Sequence, residues 1–115
     1  MPRPLAALLE EKLGTKATPF ANPLNVASIG VTAVRILPSN PNRFAWIFID
    51  LSPNLIWLLN SNLVSPSNGI QVAASGGNVI SDWEEDFELV SNEWWAVAGG
   101  AASSFLVVEI VSAGA

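Results

Sequence analysis

The sequence predicts an all-β fold: a β-sandwich or jelly-roll-like domain of about eight short strands, preceded by a short N-terminal helix and an extended arm. Three observations carry this expectation. Short apolar, β-branched segments recur from Val31 onward. Turn signals rich in Ser, Asn, Pro and Gly separate them at about 8 to 12 residues, the spacing of sandwich strands. No helical periodicity intervenes after residue 14. With 115 residues the chain fits a single domain able to bury an ordinary core.

In chain order, Pro4 to Leu13 reads as a helix. Proline suits a first turn, Leu5, Leu8, Leu9 and Leu13 fall near helical spacing, and Gly14 supplies a stop. So short a helix must dock on something to persist in water. Residues 15–30, with Pro19 and Pro23 and little periodicity, read as an extended arm. The expected division is therefore helix and arm over 1–30 and sandwich over 31–115.

Within the sandwich, VTAVRILP (31–38) is a β-branched strand that ends at a proline, and SNPN (39–42) is a turn. RFAWIFIDL (43–51) is apolar on both alternating faces, as in a strand covered on two sides. LIWLLNS (55–61), IQVAA (70–74), VISDW (79–83), FELVS (87–91), WWAVA (94–98) and SFLVVEIVS (104–112) complete the set. SPN, SPSNG and SGGN mark the turns between the first of these.

Composition excludes much. Half the residues are hydrophobic and only 13% are charged, about half the usual share, so more apolar surface is present than one small monomer needs. Self-association or attachment to a larger body is the expectation. There is no Cys and no His, which removes thiolate nucleophiles, zinc–thiolate sites and most nucleophile–base pairs. All five basic residues lie in the first 43 positions, and the rest of the chain carries eight acids and no base. That body is the reverse of a phosphate-facing surface, so nucleic acid is not an expected partner. A mildly basic arm and an acidic body suit contact between one copy's arm and a neighbour's body. The two most apolar stretches are interrupted by Asp50, Pro53, Asn60 and Gly99–Gly100 and lack basic flanks, so no membrane span is expected. The N-terminus lacks the long apolar run of a secretory signal.

DWEEDFE (82–88) holds five of the ten carboxylates. Taken as extended, it sends Asp82, Glu84, Asp86 and Glu88 to one side and Trp83, Glu85 and Phe87 to the other. The plain reading is a solvated edge or loop whose charge blocks aggregation. The sharper one is a weak cation site at Asp82, Glu84, Asp86 and Glu88. An EF-hand fails, because Phe87 stands where that loop needs glycine. Among the tryptophans, Trp46 and Trp57 read as core. Trp94 and Trp95 are adjacent, so a strand places one of them outward, in an interface or on a sugar-binding surface. Arg43, opening the most apolar strand, is placed to pair with a carboxylate of its own or a neighbouring chain.

The run from VRILPSNPNRFAWIFIDLS through NLIWLLNSNLVSPSNGIQVAASGG to EWWAVAGGAASSFLVVEI resembles small β-sandwich virion proteins of tailed bacteriophages, the decoration or accessory proteins of the capsid. The likeness spans residues 31 to 111 and rests on turn chemistry and hydrophobic alternation. It implies a non-enzymatic structural protein without cofactor, trimeric, bound to a major capsid protein, made in the host cytoplasm and sited on the capsid surface. Leu5, Leu8, Leu9 and Phe20 of the arm and Arg43, Trp94 and Trp95 of the body are the interface residues this reading selects. The competing expectation is a carbohydrate-binding module using Trp83 or the Trp94/Trp95 pair.

Overall fold

The computed structural model describes residues 17–112. It contains eight strands: β1 (Ala17–Ala21), β2 (Val34–Leu37), β3 (Arg43–Asp50), β4 (Ile56–Leu59), β5 (Ile70–Val72), β6 (Asn78–Asp82), β7 (Trp94–Ala98) and β8 (Phe105–Ser112). A helical turn, α1 (Trp83–Asp86), runs into a 3₁₀ turn (Phe87–Ser91) between β6 and β7. The strands form two four-stranded sheets, β1-β8-β3-β6 and β2-β7-β4-β5. Every pairing is antiparallel.

One rule generates this order. β4 pairs with β5, β3 with β6, β2 with β7 and β1 with β8, so the chain wraps as a folded-over ribbon around its central hairpin. That is a jelly roll, as the strand and turn pattern predicts. The connections β2–β3, β4–β5 and β6–β7 lie at one end of the sandwich together with Ala17 and Ser112. The remaining connections lie at the other end.

Alternation decides which side chains fill the core. Trp46 and Phe48 of β3, Ile56 and Leu58 of β4, Val72 of β5, Trp94, Ala96 and Ala98 of β7, and Phe105 and Val107 of β8 all point between the sheets. Trp46 and Trp94 bridge the two sheets, with ring centroids 4.9 Å apart and planes inclined at 56°. Phe48 and Phe105 stack at 5.7 Å within the first sheet. Burying side chains of this size contributes roughly 1.5–3 kcal/mol each, and the aromatic contacts add to it.

Three expectations are corrected. The segment 17–30 is not a free arm. β1 pairs residue by residue with β8, and beyond it Ile29 is fully buried and exchanges two 2.8 Å backbone hydrogen bonds with Ser103. Pro19 is compatible with a strand here because β1 lies at the sheet edge, where a missing N–H leaves no ladder broken. FELVS is a 3₁₀ turn rather than a strand. Trp57 lies on the outward face of β4, half-buried, because Ile56 and Leu58 take the inward positions. The helix expected over Pro4–Leu13, with Leu5, Leu8 and Leu9, lies outside the described residues.

Candidate functional site

Two surfaces outside the core carry the functional candidates: a cleft at one end of the sandwich and the outer face of the first sheet.

The cleft begins with a bulge. Arg43 of β3 sits opposite Val111 and Ala45 opposite Ile110, so Phe44 is an extra residue in the ladder. A bulge reverses the side-chain alternation on one side of it. Arg43 consequently points inward, on the same side as Trp46, and becomes buried, with 2% of its surface exposed. Its Nε donates to a Glu109 carboxylate oxygen at 2.7 Å. The remaining guanidinium nitrogens donate to the carbonyl oxygens of Pro38, Val90 and Asn92 at 2.6, 3.2 and 3.0 Å. A buried charge persists only when it is paired and its other donors are satisfied, and Arg43 meets both conditions. It ties β3 and β8 to the β2–β3 loop and to the 3₁₀ turn. Of the two pairings open to Arg43, with a carboxylate of its own or of a neighbouring chain, the structure shows the first: Glu109 of its own chain engages it, with the carbonyls of Pro38, Val90 and Asn92, so the residue that the resemblance selected for an interface is an internal tie.

Phe44, displaced by the same bulge, lines an open cleft of about 440 Å³ with Pro41, Trp83, Phe87, Glu88 and Val90. The turn forming its other wall is held by side-chain hydrogen bonds. Asp82 caps α1 by accepting from the Glu85 N–H at 2.8 Å. Asp86 accepts from the Ser81 hydroxyl at 2.8 Å and the Asp82 N–H at 3.1 Å. Trp94 Nε1 donates to the Leu89 carbonyl at 3.1 Å. At the end of α1, Phe87 adopts φ 53°, ψ −128°. That is the first central position of a mirror-image turn, normally glycine, and a bulky residue there costs about 1–3 kcal/mol. Phe87 is nevertheless 77% exposed, alongside Trp83 and Leu89, which are also exposed.

The acidic run is thus a capped helical turn and not an extended strand. Asp82 and Asp86 are engaged in capping it, while Glu84 and Glu88 are exposed. Among the described residues no three carboxylates converge as a group able to hold a metal ion, the expected set Asp82, Glu84, Asp86 and Glu88 included. The physical reason is the helical turn, which spreads these side chains around an axis rather than along one face. The signal was present in the sequence: Asp82-x-x-Glu85 has the spacing of a capping box.

Trp94, a candidate for an interface or a sugar surface, is buried against Trp46. Trp95 is its outward neighbour and only half-buried, with its Nε1 enclosed and unpartnered among the described residues. Phe20 is half-exposed on β1 and lines a separate hollow with Asn22, Pro23 and Glu109.

The second surface follows from register. With Trp46 and Phe48 inward, Ile47 and Ile49 of β3 face out. Ile47 lies between Val108 of β8 and Ile80 of β6, and Ile49 lies opposite Leu106. Ala45 and Pro19 flank Ile110, and Ala21 flanks Val108. The result is an aliphatic sheet face whose charge is confined to Asp82 at one corner. Ile80 is 62% exposed. Sequence reasoning recognised that β3 is apolar on both sides but could not assign Ile80 or Val108 to the same face, because that depends on non-local register.

No helix among the described residues is long and apolar enough to cross a membrane. Comparison with protein-family models, curated proteins and solved structures gives no match.

Proposed function

We propose that the chain is a non-enzymatic structural protein that self-associates and decorates or cements the capsid of a tailed bacteriophage, most simply as a trimer bound to the major capsid protein. One observation supports the association half of this reading more than any other: the aliphatic outer face of β1-β8-β3-β6. Four strands of five to eight residues present roughly 400 Å² at ordinary strand spacing and rise. Apolar patches of that size on a small protein commonly mark contact sites. Covering it contributes about 10 kcal/mol per copy before association costs of similar size, and repetition on a shell multiplies a modest single contact. The jelly roll is an architecture used by capsid proteins, and the turn and alternation pattern of residues 31–111 resembles phage decoration proteins; these support the capsid half.

The test is to add purified protein to phage capsids that lack it. The proposal expects saturable binding and a rise in the capsid's disruption temperature. A chain that stays monomeric at high concentration and leaves capsids bare sinks the reading.

A second reading, glycan binding, is favoured by the exposed Trp83 and Phe87, since jelly rolls also serve as lectins and indole faces stack on sugars. Binding on a glycan array that Trp83→Ala removes, with the fold intact, is the outcome it requires.

A further inference from the structure

A hollow of about 390 Å³ lies beside β1, at the edge of the first sheet, lined by Phe20, Ala21, Asn22, Pro23, Asn25 and Glu109. It contains a buried carboxylate that the Arg43 tie engages through one oxygen only. We propose that this hollow binds a neutral sugar ring, with the pyranose face against Phe20 and hydroxyls on Glu109 Oε1 and the two asparagine amides. The site is separate from the cleft at Trp83 and Phe87, and it requires neither the capsid reading nor a glycan at that cleft.

The carboxylate comes first. Glu109 of β8 faces inward with Val107 and Val111 and is 5% exposed. Its Oε2 accepts from Arg43 Nε at 2.7 Å. Its Oε1 has no hydrogen-bond partner among the described residues and is not sealed in, so it opens onto the hollow that Glu109 helps to line. A buried acceptor fixed by a guanidinium and open on one side is the kind of polar anchor that orients a small ligand. The hollow also falls within the usual size of small-molecule sites, about 300–1,000 Å³.

The ring and the amides come second. Register sets Phe20 opposite Glu109, so the two side chains share one side of the sheet. Because β1 is an edge strand, the Phe20 ring stays 49% exposed beside the carboxylate. A turn over residues 22–25 supplies the rest of the lining, closed by the Asn25 N–H donating to the Asn22 carbonyl at 2.8 Å. Asn22 is pinned to β8: its N–H donates to the Val107 carbonyl at 2.7 Å, and its Oδ1 accepts from the Val107 N–H at 2.9 Å. The second bond fixes the Asn22 amide and leaves Nδ2 as its unused donor. Asn25 is exposed, and its side chain makes no hydrogen bond among the described residues.

Charge then selects the ligand class. Arg43 already compensates Glu109, so a cation at Oε1 meets a like charge close behind the carboxylate, and an anion meets the carboxylate itself. Neutral donors remain. Hydroxyl groups both donate and accept, which suits a carboxylate oxygen flanked by two amides. The exposed ring suits the apolar C–H face of a pyranose. One apolar wall with a few convergent polar groups is the composition of a small-molecule site, and jelly rolls also serve as lectins.

The experiment follows the NMR shifts of the full chain during titration with the methyl pyranosides of glucose, galactose and mannose and with N-acetylglucosamine. The proposal expects at least one of these sugars to move the signals of Phe20, Asn22, Asn25 and Glu109 saturably, while Trp83 and Phe87 stay still. Phe20→Ala removes the ring and weakens binding about tenfold. Asn25→Gly removes one amide at a backbone position, φ 54°, that glycine adopts freely, and weakens binding at least about threefold with the fold intact. Should Phe20→Ala loosen β1, Asn25→Gly still decides. Glu109 itself is left in place because Arg43 depends on it. Absence of saturable shifts at these residues with every sugar overturns the proposal, as does undiminished binding by Asn25→Gly. Equal shifts with N-methylacetamide, a neutral peptide-like donor, overturn the assignment to a sugar. Shifts confined to Trp83 and Phe87 overturn it too, while leaving the glycan reading of the cleft standing.

Discussion

The sheet β1-β8-β3-β6 turns Ile47, Ile49, Ile80, Leu106, Val108 and Ile110 outward, whereas β2-β7-β4-β5 turns out Arg35, Gln71, Trp57, Leu59, Trp95 and Val97. Each sheet also carries one arginine–glutamate pair. In the first sheet Arg43 and Glu109 meet at 2.7 Å inside the sandwich, and in the second Arg35 and Glu93 meet at 3.4 Å in solvent. The first sheet thus inverts the usual arrangement, with charge inside and aliphatic side chains outside. The second follows convention, placing its charge at the surface. The lesson is that the unusual hydrophobicity of the chain is not spread evenly. The outer face of the first sheet is aliphatic with charge only at Asp82, whereas that of the second mixes Trp57, Leu59, Trp95 and Val97 with Arg35 and Gln71.

The sharpest way to break this comparison is to treat the two arginines alike. Arg43→Ala leaves Glu109 buried without its partner and unties the β2–β3 loop and the 3₁₀ turn from β3. A loss of about 3–5 kcal/mol is expected in urea unfolding. The outer faces come next. Ile47→Lys, or Ile80→Lys at a more exposed position, weakens self-association at least about a hundredfold, near 2.7 kcal/mol, with the body still folded. Gln71→Lys on the second sheet leaves association unchanged. At the far end of β3, Asp50 is fully buried and accepts from the Ser52 N–H and hydroxyl at 2.8 and 2.7 Å. Asp50→Ala strands both donors and costs about 1–3 kcal/mol, read by the same denaturation. Smallest of all is Arg35→Ala, which removes an exposed pair and shifts stability by about 0–1 kcal/mol. If Arg35→Ala and Arg43→Ala prove equal, the contrast between the sheets is wrong.

Much of the fold was legible in the sequence because it is local. β3, β7 and β8 are long alternating segments, and the turns at 39–42, 65–69 and 75–78 are written in Ser, Asn, Pro and Gly. The SGGN turn shows why: Gly76 takes φ 108°, and a Cβ at Gly77 would collide with the Ala73 carbonyl. β1 was illegible because Pro19 argues against a strand unless it is known to lie at a sheet edge, which is a fact of topology. The 3₁₀ turn at 87–91 was misread because Phe87-Glu88-Leu89-Val90 alternates like a strand, while the Asp82 cap that starts the helical turn was overlooked. The site followed the same division. Arg43 stood out as a charge opening an apolar strand, but its partner Glu109 lies 66 residues away and faces it only through the bulge at Phe44. Trp94 and Trp95 were correctly split between two faces. Which of them was interior depended on Trp46 reaching Trp94 from the opposite sheet.

The most direct test of the central claim is the solution mass of the intact 12.2 kDa chain, measured by light scattering over a concentration series beside Ile47→Lys and Gln71→Lys. The account predicts a discrete multiple of the monomer mass for the native chain and for Gln71→Lys, and a monomer for Ile47→Lys. A native chain that remains monomeric throughout, or an Ile47→Lys chain that associates as the native one does, would contradict it.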